Sequence, residues 1–405
     1  MVDCVLPEAN MSPRFPPPPV STIDWADVGF RVREVNGHIE SHYSVKTGKW
    51  TPLQFVADPY IRIHGMAPAL NYGQQAYEGL KAFRTPNDEI TVFRPDRNAS
   101  RMQRSAGFIS CPTVPEDLFI DAVKAAVSLN AEFVPPHETG AAMYIRPQIY
   151  GSSAQLGLAP PEEYMFCVFV MPTGVYHGTH LVKCLVLDDF DRAAPYGTGS
   201  AKIGGNYAPV LRWSDKARDE GYGITLHLDS RTRSEIDEFS TSGFIGAKVD
   251  GDDVTLVVPN SNNVIQSVTA DSILDIGRSF GWKVERKSIK YSELPTFTEV
   301  MAAGTAAALV PIRSITRREL PTSPSSITSA IGEHERLSSG QDWEKTTYAP
   351  DSQSAEDIGP ICTRLLTQLR AIQLGKVQDG FNWCYPVTRE DGTKVAGETD
   401  KANGN

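Results

Sequence analysis

The stretch from Gly174 to Gly205 divides this chain more sharply than any other feature. It follows Pro172-Thr173-Gly174, contains Pro195-Tyr196-Gly197-Thr198-Gly199, ends in Gly204-Gly205, and holds only one strand-like run, 181–187. Such a density of turn residues fits neither a helix nor a central strand, and a long irregular stretch within a folded chain is functional or linking. The chain is therefore expected to fold in two parts. Its 405 residues agree, at roughly 100–200 residues per domain.

Both parts mix strands with helices. Before the break, 91–94, 142–149 and 164–171 are rich in Val, Ile, Phe, Tyr and Met and bounded by Pro or Gly, as strands are. Between them, 98–107 and 115–130 space apolar residues three or four apart, which predicts helices. After the break the pattern predicts a helix over 207–220, strands over 223–228, 246–249 and 255–258, and a helix over 269–280. A strand over 283–289, a helix over 291–298 and an apolar, small-residue segment over 300–312 follow. Asp250-Gly251-Asp252-Asp253 suits a hairpin turn. A last helix, 359–374, leads to an aromatic cluster at 381–386 expected to dock on the body.

The expected organisation is a disordered, polyproline-like lead-in over 1–23, an α/β (α+β) domain over 24–174 and a joining segment over 175–200. A larger domain covers 201–388, and 389–405 is expected to be a disordered tail. Within the larger domain, 316–357 is dominated by Ser, Thr, Pro, Glu, Asp and Gly, too few aliphatics to offset the entropy of ordering, and reads as a flexible insertion.

Charge and cysteine usage narrow the function. With 39 Lys+Arg against 49 Asp+Glu the net charge is −10, opposite to what phosphate-backbone binding requires. Nucleic acid is not expected as a partner. The six Cys lack C-x-x-C spacing and the eight His lack H-E-x-x-H, so no metal is expected either. No apolar run approaches the roughly 18 residues of a membrane span, and the N-terminus is too acidic and Arg-poor for a transit peptide. The cytoplasm is expected, with a mitochondrial location left open.

One segment carries chemistry. Gly197-Thr198-Gly199-Ser200-Ala201-Lys202-Ile203-Gly204-Gly205-Asn206-Tyr207 fails the phosphate-loop pattern, since Ala201 precedes the Lys and Ile203 follows it; it fails G-x-G-x-x-G because Lys202 replaces the third Gly. What remains is one Lys among small residues. A partly desolvated Lys can serve as an amine nucleophile.

Lys202 through Tyr207 resembles the lysine segment of the branched-chain amino-acid aminotransferases, the class IV, fold type IV family of pyridoxal-phosphate enzymes. Tyr72 through Phe83, Phe93-Arg94-Pro95 with Asn98 to Ser105, and Tyr144-Ile145-Arg146-Pro147 match the family in the same order. So do Leu156 to Pro160, Gly304-Thr305-Ala306 before Pro311, Ile372 to Gly375, Trp383 and Pro386-Val387. The resemblance covers about 24 to 388. It implies a small N-terminal α/β domain, a larger, barrel-like C-terminal α/β domain and a homodimer.

The resemblance also implies roles. Lys202 would be the Schiff-base lysine and the proton-transfer base, Glu238 the carboxylate facing the pyridine nitrogen, and Arg101 the phosphate arginine, a task suited to a guanidinium fork. Val268 and Thr269 would present N–H groups to the phosphate at a helix N-terminus, with Thr305 adding a hydroxyl. Tyr207 would bond the cofactor's phenolic oxygen. Tyr72, Tyr144, Arg146, Tyr176, Thr241 and Ala306 match the substrate side of the pocket.

The implied reaction is ping-pong transfer of the amino group of a hydrophobic, branched-chain-type L-amino acid to 2-oxoglutarate, in branched-chain amino-acid biosynthesis. Two departures stand out. Ser242-Gly243 follows Thr241 where the family commonly has Met-Asn, which alters a wall of the side-chain pocket, and the redox C-x-x-C of some vertebrate members is missing after Ala306. The rivals are an enzyme dedicated to an unusual amino acid in secondary metabolism, an R-amine or D-amino-acid transaminase, an aminodeoxychorismate lyase, and a non-catalytic homologue.

Overall fold

A computed structural model describes residues 14–174, 180–318 and 343–395. The chain divides into two units by contact: 1–177 with 201–204 and 370–405, and 178–200 with 205–369.

The first unit is built on an antiparallel sheet. Its strands are β1 (His38–Ser44), β2 (Lys49–Trp50), β3 (Gln54–Val56), β4 (Gln75–Tyr77), β5 (Leu80–Arg84), β6 (Ile90–Phe93), β7 (Ala142–Gly151) and β8 (Glu163–Thr173). The strand Cys384–Val387, from the far end of the chain, pairs with β6, and the order continues β5, β7, β8, β1, β2, with β3 on β1 and β4 on β7. The helix Glu116–Ser128 buries Phe119, Ala122, Val123 and Ala126, the i, i+3, i+4, i+7 stripe of an amphipathic helix. Alanines let it approach closely, and Phe119 stacks on Phe166 of β8 at 5.8 Å.

The helix Pro95–Phe108 has the same stripe with different chemistry. Pro95, Asn98, Ala99, Arg101, Met102, Ser105 and Ala106 are its buried residues, and three of these seven are polar. Polar side chains turned inward need partners. Arg94 precedes this helix in the left-handed region, φ 49°, with its guanidinium over the Trp383 ring at 4.7 Å and its N–H on the Trp383 carbonyl at 2.7 Å.

The segments bordering this unit are more ordered than their composition suggests. In the proline-rich lead-in, Pro16 and Pro17 are buried, and the Pro17 carbonyl accepts from Arg84 Nη2 at 3.1 Å. In the expected tail, Arg389–Gly392 is a short helix capped by Thr388 and Asp391, and Asp391 pairs with Lys124 at 3.1 Å. Both orderings come from partners distant in sequence, which local composition does not report.

The second unit holds β9 (Val182–Val186), β10 (Ile224–Leu228), β11 (Ile236–Phe239), β12 (Gly243–Asp250), β13 (Asp253–Pro259), β14 (Lys283–Lys287), β15 (Glu299–Gly304), β16 (Ala308–Arg318) and β17 (Trp343–Thr347). They order as β11-β10-β9-β16-β15-β12-β13-β14, with β17 on β16. β9 runs parallel to β10 and β16, and β13 parallel to β14. Phe239, Phe244, Ile312 and Ile315 lie in its core. Asp250 and Asp253 pair across the expected β12–β13 turn.

One reading changes here, and two other stretches gain detail. The helix expected over 291–298 is a 3₁₀ segment, Tyr291–Thr296, because Pro295 supplies no N–H to an α ladder. The apolar segment 300–312 is the β15–β16 hairpin. Within the stretch read as a flexible insertion, β17 pairs with β16, Ala349 is buried and the Tyr348 hydroxyl donates to the Leu294 carbonyl at 3.1 Å. The rest of that insertion, 319–342, lies outside the described residues.

Candidate active site

Lys202 belongs to the first unit although most of its neighbours in sequence do not. Its carbonyl accepts from the Tyr77 N–H at 3.1 Å, its own N–H donates to Ser105 Oγ at 2.9 Å, and Ile203 bridges to Ala76. The backbone is thus held by β4 and the helix Pro95–Phe108. The half-buried side chain places Nζ 4.7 Å from the centre of the Tyr77 ring.

The polar face of that helix explains Arg101. Its Nε and Nη2 donate to the two carboxylate oxygens of Glu78 at 2.7 and 2.6 Å, a bidentate fork in a buried setting. Asn98, one turn earlier, donates to the same carboxylate at 2.7 Å.

Tyr144 and Arg146, alternate residues of β7, share one side of the strand. Arg146 Nη2 donates to the Tyr144 hydroxyl at 3.1 Å, and its guanidinium lies 5.1 Å from both the Tyr144 and the Tyr77 ring centres. Tyr77 therefore joins Lys202 to Arg146. Arg146 Nε is buried without a hydrogen-bond partner. Gly79 is needed here: a Cβ on it would fall 2.1 Å from the Tyr144 hydroxyl. Tyr72 lies elsewhere in its contacts, exposed at the end of the helix Pro68–Asn71 with its hydroxyl on the Leu156 carbonyl. Tyr176 lies outside the described residues.

In the second unit, Glu238 of β11 is buried. Arg192 Nη1 reaches its Oε1 at 2.6 Å and the Ile265 N–H donates to the same oxygen at 3.2 Å. Arg192 also donates to the Gly199 carbonyl at 3.2 Å and lies 6.0 Å from the Tyr207 ring centre, linking the Gly-rich loop to the acid. That loop is braced by Asn206, which donates to the Thr198 carbonyl at 2.7 Å and accepts from the Thr198 hydroxyl at 3.0 Å. Gly199 admits no side chain, since a Cβ would fall 2.3 Å from that of Ala193.

His227, opposite Glu238 on β10, is fully enclosed. Burial, and then the positive charge of Arg192, push its imidazole down to about 3, so it stays neutral. Its Nε2 shares a hydrogen bond with Ser240 Oγ at 2.8 Å, and Ser240 in turn bonds Thr225. Asp237, facing the other side of the strand, is raised by burial and bonded by Asn263 at 3.4 Å.

The helix Val268–Ser279 begins with Ser267 as N-cap, whose hydroxyl accepts from the Ala270 N–H at 3.1 Å. Val268 and Thr269 occupy the first turn, where a helix supplies no carbonyl for their N–H groups. Thr305 and Ala306 form the β15–β16 turn, closed by the Gly304–Ala308 pair, and Thr241 is exposed just after β11. Sequence reasoning gave no role to Tyr77, Glu78, Arg192 or His227. Tyr77 and Glu78 lay within the matched segment Tyr72 through Phe83, and Glu78 left a further signal, since its partners Asn98 and Arg101 are on the inward polar face of the helix.

The first unit offers a half-buried amine and guanidinium groups, and the second a buried carboxylate and a helix N-terminus. Among the described residues no cluster of His, Cys, Asp and Glu could hold a metal ion, and no helix is long and apolar enough to cross a membrane.

Residues 75–315 match the family described as amino-transferase class IV. The chain belongs to that family, and it is a transaminase of fold type IV. It is 50% identical over 380 residues to aminotransferase poxL of Penicillium oxalicum, covering 93% of this chain and 97% of that protein. It is 46% identical over 382 residues to the branched-chain amino acid aminotransferase gloG of Glarea lozoyensis, covering 94% and 100%. In fold it is similar to a branched-chain amino acid aminotransferase from Escherichia coli, with a TM-score of 0.64, 22% identity and coverage of 87% and 99%. A branched-chain aminotransferase from the archaeon Thermoproteus uzoniensis, solved with norvaline, gives a TM-score of 0.63 at 22% identity, covering 86% and 99%.

Proposed function

We propose that this transaminase uses pyridoxal 5'-phosphate to move the amino group of a hydrophobic, branched-chain-type L-amino acid to 2-oxoglutarate. The carrying observation is Lys202: a half-buried amine on a backbone fixed by Tyr77, Ser105 and Ala76.

The donor set suits the cofactor. A further branched-chain amino acid aminotransferase of the same fold was solved with pyridoxamine 5'-phosphate, which supports a cofactor of this chemistry. Lys202 would attach it, Glu238 would face its ring nitrogen as an anion, and Tyr207 would hold its phenolic oxygen. Arg101, Thr305 and the first-turn N–H groups of Val268 and Thr269 would take the phosphate. Bound, the cofactor supplies an aldehyde to receive the amino group and a sink for the electrons left at Cα. Lys202 Nζ would be the base that takes the proton from the substrate's Cα. The buried, unpartnered Nε of Arg146 supports a carboxylate site there, with Tyr144 beside it and Tyr72, Thr241, Ala306 and Tyr176 as further substrate contacts.

Exposed Tyr60, Leu70, Tyr72, Leu156 and Leu158 lie on two segments tied by the Gln155 N–H to Met66 carbonyl bond of 3.1 Å, which supports a homodimer. A second reading, dedication to an unusual amino acid, is favoured by one observation. Ser242 packs against Gly304, so two small residues meet where β12 begins and β15 ends; a Cβ on Gly304 would fall 2.8 Å from Ser242 Oγ.

Half-reactions separate these readings. Mixing with L-leucine, L-isoleucine or L-valine should bleach the cofactor's visible band, and 2-oxoglutarate should restore it. Bleaching by none of the three, with a response to another L-amino acid, would replace the first reading by the second. A response only to D-alanine or an R-amine would overturn both.

A further inference from the structure

Glu78, at the turn between β4 and β5, has no exposed surface. Both its oxygens are filled. Oε1 accepts from Arg101 Nε at 2.7 Å, and Oε2 accepts from Arg101 Nη2 at 2.6 Å, from Asn98 Nδ2 at 2.7 Å and from the Gly79 N–H at 3.3 Å. A fork of this kind fixes the plane of the guanidinium as well as its position, because turning it breaks two charged hydrogen bonds together. The Glu78 N–H is itself anchored on the Pro147 carbonyl at 2.8 Å.

The same two elements hold Lys202. β4 ends at Tyr77, whose N–H donates to the Lys202 carbonyl, and Glu78 is the next residue. Ser105, four residues after Arg101 on the same helix face, accepts the Lys202 N–H. Glu78 thus joins the strand that carries the lysine to the helix that carries the arginine.

We propose that Glu78 is a positioning residue for the cofactor's phosphate: it holds Arg101 at a fixed spacing and orientation from Lys202. The inference rests on the reading of Lys202 and Arg101 as cofactor residues. Its opposing effect has the other sign, since a carboxylate beside a guanidinium offsets charge that would attract an anion. Orientation dominates here because small misplacements of a ligand-holding group cost most of its contribution.

The test measures dissociation constants of wild type, Glu78→Asp and Glu78→Gln for pyridoxal 5'-phosphate and for pyridoxal, which lacks the phosphate. Protein is first stripped of cofactor, and binding is followed by absorbance. Asp keeps the charge and shortens the reach; Gln keeps the reach and removes one acceptor. Both should weaken binding of the phosphate form by about 10- to 100-fold, as for side chains that orient a ligand-holding group, and leave pyridoxal within about threefold. If Glu78→Gln does not fold, Glu78→Asp decides alone. A wild-type ratio between the two cofactors in the variants, equal losses for both, or tighter binding of the phosphate form by Glu78→Gln would overturn the inference. A wild type that binds neither compound would overturn the cofactor reading itself, and this inference with it.

Discussion

Two buried ion pairs of this protein are assembled in different ways. In the first unit, Glu78 and Arg101 meet through neighbouring elements, and the arginine's helix shows its purpose by turning Asn98, Arg101 and Ser105 inward. In the second unit, Glu238 is held by Arg192 from the loop after β9, by the Ile265 N–H, and stands opposite His227 on the adjoining strand. The first pair joins a turn between two strands to the inward face of a helix, and the second joins a loop to a strand. That difference decides both how each cluster fails and how much of it the sequence can reveal.

Breaking the second pair should have the larger effect. Arg192→Ala leaves Glu238 as a buried carboxylate without its cation, and removal of one partner of such a pair costs about 3–5 kcal/mol. Urea unfolding of the purified protein checks this. A loss below about 1 kcal/mol would place the pair with exposed ones and erase the contrast.

The smaller effect sharpens the same comparison through pH. His227 is held neutral, its imidazole pushed to about 3 by burial and then by Arg192. The unfolded chain, with an ordinary histidine near 6.5, therefore binds one more proton than the folded chain between those values. Stability is complete above about pH 6.5 and falls as pH falls toward 3. Between pH 7 and 5 the loss should be roughly 2 kcal/mol from this residue, read from unfolding midpoints. His227→Gln should flatten that interval. Glu40 does not confuse the reading: burial would raise it, but hydrogen bonds from His38 and His42 bring it down to about 2, so its contribution is lost only below its ordinary range. An unchanged slope in His227→Gln would remove the histidine from the account.

What the sequence made legible follows the same line. The helices 98–107 and 115–130 and the strands 142–149 and 164–171 were readable because their periodicity reports their own burial. Lys202, Arg101 and Glu238 were singled out through the resemblance, since a lone Lys, Arg or Glu carries little signal of its own. Arg192 and His227 were missed for a physical reason. Each acquires its partner only when β9, β10 and β11 are laid side by side, and no local pattern encodes which residues then face each other. The order at Pro16-Pro17 and around β17 was not legible either, because it depends on Arg84 and β16. Tyr77 stood within a matched motif, and only its place between Lys202 and Arg146 shows what its ring does.

Reductive trapping tests whether the amine of Lys202 carries pyridoxal phosphate. Borohydride treatment of the purified protein, followed by digestion and mass spectrometry, should find a phosphopyridoxyl group on the peptide containing Lys202, and none on Lys202→Ala, which should also lose transamination by at least about a thousandfold. A label on another lysine, or a variant that keeps the cofactor's visible band and its activity, would contradict the account.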